Sequence, residues 1–204
     1  MATLVIDPLV EEQIRSDRAA RGADRYDEVW EGTYLMAPMP NVEHQEVVAG
    51  LTAVLHQVVV ASGAGHVLPG AIVTDREEDW THSYRCPDVV VVLIGSRAKN
   101  CATHFCGGPD FLVEIVSPED RSREKLQFYA KIGVRELMIV DREPWSLELY
   151  RLDGNEMRLV GTSRLEEPAL LTSDVVPVSF RLLPGAGRPQ IEITHRDGVQ
   201  RWLV

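Results

Sequence analysis

The run from Val89 to Ile94, VVVVLI, is apolar at every position. A strand wetted on one face alternates apolar and polar residues, so an unbroken run of this length belongs to a strand covered on both faces. That segment calls for a sheet with layers packed above and below it, and it excludes a helical bundle. Its neighbours agree. FLVEIVS (111–117) and ELMIVD (136–141) read as further interior strands, and between them Arg121 to Ile132 reads as a helix ended by Gly133. Upstream, residues 7–22 form a short helix with Asp7 as N-cap and Pro8 in the first turn. YDEVWEGTYLMAPMP folds as a hairpin turned at Glu31-Gly32. A second helix starts at the N-cap Asn41 and carries the stripe Val47, Val48, Leu51, Val54, Leu55 and Val58. HVLPGAIVT is expected as one strand, followed by an acidic loop from Asp75 to Asp79. SLELYRL and MRLVGT are the arms of a hairpin turned at Asp153-Gly154, and the Pro- and Gly-punctuated tail supplies peripheral strands. The expected fold is α/β, a mixed sheet flanked by helices. The chain is read as a single domain over 1–204, with a core at about 24–152 and a C-terminal extension at 153–204.

Composition limits the function classes. Apolar residues are 45% and charged residues 25%, with no apolar run near the roughly 18 residues that cross a bilayer. The start lacks a basic flank and an apolar signal core, so a cytoplasmic location and no membrane are expected. Cys86, Cys101 and Cys106 fit reduced thiols; Cys101, His104 and Cys106 form a C-x-x-H-x-C run without the second ligand pair a zinc site needs. The formal net charge of −10 weighs against a broad nucleic-acid surface. A nucleic-acid enzyme so acidic must gather its cations around a cleft and offset its carboxylates with metal.

Two acids stand where such a cleft would form. Glu114 sits mid-strand among apolar residues, and a carboxylate there is costly unless paired, protonated or bound to a cation. Asp88 follows Pro87 at the entry to the most apolar strand. It reads either as turn chemistry or as a second acid beside Glu114. Two carboxylates brought together in a dry cleft repel and call for a divalent cation, magnesium or manganese by their hard oxygens. Lys125 shares a helical face with Phe128, Tyr129 and Ile132, which draws its ammonium toward the sheet. The plainer alternative is a solvated lysine paired with neighbours. Arg121 and Arg123 are solvated or contact a phosphate backbone, and His44 is read as an exposed or capping residue.

RCPDVVVV, then PDFLVEIVSPEDRSREKLQFYAKIGVRELMIVD, together with the opening hairpin and NVEHQEVVAGL, resembles the Uma-type restriction endonuclease family of the PD-(D/E)xK nuclease superfamily. The likeness covers about residues 24–152. It implies a restriction-endonuclease-like core, a four-stranded mixed sheet flanked by helices, with a magnesium-type site. It also implies catalytic roles for Asp88, Glu114 and Lys125, with metal held by Asp88 and Glu114 and assisted by Glu43; Glu46, within the same turn, competes for that last role. Two residues past Glu114, where the superfamily places its lysine, this chain has Val116; in the Uma-type pattern Lys125 takes that place from the next helix. The implied activity is metal-dependent hydrolysis of DNA phosphodiester bonds, by a homodimer. The alternative is a nuclease-fold module that binds nucleic acid or protein without cutting.

Overall fold

The computed structural model describes residues 8–117 and 121–204; Asp7, expected as an N-cap, and Asp120 lie outside the described residues. Helix α1 (Pro8–Ala20) leads into the hairpin β1 (Glu28–Trp30) and β2 (Thr33–Leu35), turned at Glu31-Gly32 as expected. Asn41 caps α2 (Val42–Leu55), its side chain accepting from the His44 N–H at 2.9 Å, and a π-helical turn (His56–Val60) extends the helix. Then come β3 (Gly65–Pro69), β4 (Val73–Thr74), β5 (Tyr84–Arg85), β6 (Val89–Leu93), β7 (Lys99–Asn100), β8 (Phe105–Cys106) and β9 (Phe111–Ile115). A 3-10 turn (Ser122–Lys125) opens α3 (Leu126–Ile132), which Gly133 ends in the left-handed region. The chain finishes with β10 (Glu136–Arg142), β11 (Trp145–Asp153), β12 (Glu156–Arg164), β13 (Leu171–Thr172), β14 (Val178–Leu183), β15 (Gln190–His195) and β16 (Arg201–Leu203). No helix among the described residues is long and apolar enough to cross a membrane.

The central sheet has six strands where the resemblance implied a core of four, in the order β12-β11-β10-β9-β6-β3. β9 and β10 run parallel and the other pairs antiparallel, so the sheet is mixed. Both of its faces are covered, as the Val89 run demanded. Val89, Val91, Phe111, Val113 and Ile115 pack beneath α2; Val90, Val92 and Leu112 pack with Phe128 and Tyr129 of α3. HVLPGAIVT is not one strand. Gly70 turns the chain at φ 61 and donates its N–H to the Asp88 carbonyl, so β3 stays in the central sheet and β4 leaves for the small sheet β2-β1-β5-β4-β8-β7.

The C-terminal strands form a third sheet, β13-β14-β15-β16, whose Val178, Phe180, Leu182, Ile191 and Ile193 join the same core cluster as α2 and the central sheet. One buried acid ties this layer to β10. Glu136, fully buried, accepts from Arg151, from the Ser173 hydroxyl and from the Asp174 N–H.

Candidate active site

β6 and β9 are antiparallel neighbours with Val89 opposite Val113, a register that sets Asp88 level with Glu114 where the two strands meet the cavity. Glu114 has the parity of Leu112 and faces the α3 side of the sheet; Asp88 stands just before β6, where its Oδ1 lies 3.2 Å from Nε2 of His44 on α2. Asp88 is anchored there: its Oδ2 accepts the Ile115 N–H at 2.7 Å. The two acids line one cavity of about 880 Å³ together with Lys125 and Arg121.

Lys125 reaches back from the 3-10 turn as its helical face implied. Its Nζ lies 3.0 and 3.1 Å from the two Glu114 oxygens and 2.8 Å from Glu28 Oε1. The Tyr129 hydroxyl donates to Glu114 Oε1. Tyr129 is fully buried; burial first, then the Glu114 and Glu28 charges, pushes its phenol well above the usual tyrosine range, so it remains a donor.

Glu28 is the residue that sequence reasoning missed. It stands on β1, where the Cys86 N–H donates to Oε1 at 2.9 Å and the Trp30 indole N–H to Oε2 at 2.7 Å. Behind it the buried Arg85 guanidinium lies between the Trp30 and Phe128 rings, at 4.5 and 4.1 Å, and donates to the Val29 and Tyr84 carbonyls. Tyr129 could have been read from the helical face it shares with Lys125. Glu28 could not, because its partner is distant in the chain and nothing local marks a hairpin acid as inward-facing.

The first turn of α2 also differs from expectation. His44 is buried, 7% exposed, with Nε2 3.2 Å from Asp88 Oδ1; it is neither an exposed residue nor itself the cap. Glu43, on the preceding position, bonds Arg142 at 3.0 Å. Arg142 also donates to the Asn41 side chain at 2.9 Å and to the Val116 carbonyl at 3.2 Å, which locks the start of α2 to the end of β9. Arg123 is held by Glu148 and Asp141, at 3.0 and 2.9 Å. Arg121 pairs with Glu124 and lies 4.7 Å over the Trp30 ring.

Among the described residues no group of three His, Cys, Asp or Glu side chains forms a ready metal cage. The donor set is of another kind. Glu28 and Glu114 around one ammonium leave one surplus negative charge, and Asp88 adds a second. Two carboxylates with room for water and a phosphate suit magnesium, which takes few protein ligands and keeps much of its hydration. On that chemistry the residues fit a hard divalent ion.

Cys86 lies in the same wall. Burial, with the Glu28 charge next, pushes its thiol up to about 12. The thiolate is the reactive form, so iodoacetamide at about pH 8 is expected to spare Cys86 in the folded protein and to alkylate it in urea. Mass spectrometry of the modified peptides measures this.

The family model described as "Putative restriction endonuclease", Uma2, matches residues 14–184. The chain belongs to the Uma2 family. As a Uma2 member it is a nuclease-like protein, and the match takes in β1, α2, β6, β9 and α3, the elements that carry the acids and Lys125. The fold is restriction-endonuclease-like. It is shared with the crystal structure described as "a putative nuclease belonging to DUF820" from Anabaena variabilis ATCC 29413, at TM-score 0.58 and 21% identity over 72% of this chain and 80% of that one. No curated protein matches this Uma2 chain.

Proposed function

We propose that this protein is a metal-dependent endonuclease that hydrolyses phosphodiester bonds in DNA. The observation that carries the reading is the convergence of Asp88, Glu114 and Lys125, from three separate elements, on one cavity. Asp88 and Glu114 would hold magnesium or manganese. The ion, when bound, would supply Lewis acidity toward the phosphate and a water of lowered pKa. The Ile115 N–H and His44 fix the direction of the Asp88 carboxylate. Lys125 would steady the attacking oxygen or the charge growing on the phosphate, with Glu28 holding its ammonium in place. Arg25 and Arg121 line the cavity and would meet a neighbouring phosphate, Arg121 in exchange for its pair with Glu124. Glu43 and Arg123 are engaged with Arg142 and with Glu148 and Asp141; the supporting role for Glu43 is less favoured than one for Glu28.

Asp88→Asn is expected to lower magnesium-dependent nicking of supercoiled plasmid by about a hundredfold or more. Undiminished nicking by the folded variant would refute the assignment. One observation favours a second reading, a module that binds without cutting: both Glu114 oxygens already meet Lys125, and one meets Tyr129 as well. Titration calorimetry separates the two. A nuclease takes up magnesium in a manner that Asp88→Asn removes, whereas a non-cutting module has no need of the ion.

A further inference from the structure

We infer that the cavity beside the acids receives an unpaired nucleotide, so that the substrate is single-stranded or locally unpaired DNA rather than intact duplex. This deepens the nuclease reading and rests on it. The cavity, at about 880 Å³, is of the size that encloses a small organic group. One wall is a stripe of α2, His44, Val48 and Thr52, spaced four residues apart and therefore on one face. The lining also includes Leu35, Met36 and Pro38.

Two polar atoms on the α2 stripe have no partner among the described residues. His44 Nδ1 and Thr52 Oγ1 are both buried and unbonded, and His44 as a whole is 7% exposed. Buried polar groups are nearly always satisfied, so an unpaired one marks a place where a ligand can bond. With Nε2 engaged by Asp88, Nδ1 is left to a ligand, while the threonine hydroxyl can donate or accept. Eight residues of helix separate the two by about 12 Å along the axis. A nucleobase has apolar faces and polar edges, the chemistry of this wall; a base paired in a duplex has its hydrogen-bonding edge already occupied.

The charge points the same way. Duplex affinity depends on many phosphate contacts, which a chain of net charge −10 is poorly equipped to make. A strand held through its base needs fewer, and Arg25 and Arg121 line the cavity to meet them.

The test uses the whole protein, with calcium replacing magnesium, and fluorescence anisotropy of a fluorescein-labelled oligonucleotide, single-stranded or annealed to its complement. The single strand is expected to bind about tenfold more tightly than the duplex. Ala53→Trp fills the cavity from an exposed helix position, and should remove that preference while leaving duplex binding and Tm unchanged. Thr52→Val, close to isosteric, should weaken strand binding about fivefold. Equal binding of strand and duplex, no binding of either, or full strand affinity in both variants overturns the inference. Nicking measured alongside with Asp88→Asn keeps the two readings apart. Asp88-dependent cutting of a linear, fully paired duplex removes only the base pocket; cutting indifferent to Asp88 removes the nuclease reading whatever the strand preference.

Discussion

Lys125→Met is expected to abolish nicking and to lower folding stability by about 3–5 kcal/mol, the usual cost of removing one partner from a buried ionic cluster. The side chain is 10% exposed and its ammonium stands between Glu28 and Glu114. Without it two carboxylates face each other out of water, and one must take up a proton or draw in solvent. The stability and activity losses have separate causes, and a second substitution divides them. Glu28→Gln combined with Lys125→Met removes one of the stranded charges and should recover part of the stability, while nicking stays at least about a hundredfold down because no cation steadies the reacting oxygens. Lys125→Arg is not expected to rescue either property, since a planar fork cannot occupy the site of a point charge with three donors. Urea denaturation and plasmid nicking measure the two quantities. A Lys125→Met protein that still nicks would remove lysine from the reaction.

Glu136→Ala is the second large effect, and it is structural. The carboxylate is fully buried and meets Arg151 at 2.7 Å, the Ser173 hydroxyl and the Asp174 N–H at 3.1 Å. Its loss leaves the Ser173 hydroxyl and the Asp174 N–H without their acceptor at the joint between β10 and the C-terminal sheet. The expected cost is about 3 kcal/mol, read from urea denaturation. Hydrogen exchange should quicken in β14 and β15 more than in β6 and β9, because the third sheet is the layer that Glu136 fastens. Uniform exchange across all three sheets would mean that Glu136 does not hold that joint.

Much of the fold was legible in local pattern. The Val89 run, FLVEIVS and ELMIVD became neighbouring interior strands, the hairpins turned where their glycines stand, and Asn41 capped α2. Of the residues that line the cavity, Glu114 stood out as an acid inside an apolar strand, while Asp88 and Lys125 had plainer readings of their own and were singled out by the family resemblance. What stayed hidden depends on tertiary company. A two-residue strand such as β4 has no period to read, so the break at Gly70 was missed. His44 was set aside because a histidine near a cap has no spacing that marks it as buried; it is buried because Arg142 draws the start of α2 onto β9. Glu28 needed the hairpin to fold against a lysine far along the chain. The net charge called for cations gathered at a cleft but could not say which; Arg25, Arg121 and Lys125 line the cavity, beside Glu28, Asp88 and Glu114.

The bond between Lys125 and Glu28 spans 97 positions of sequence, and that between Arg142 and Asn41 spans 101. Closing loops of that length is entropically expensive before any packing repays it, and folds dominated by such contacts mature slowly. A chain still emerging during synthesis therefore holds Glu28 apart from Lys125 and Asn41 apart from Arg142. The cavity that Glu28, His44 and Lys125 line together is complete only in the finished tertiary structure.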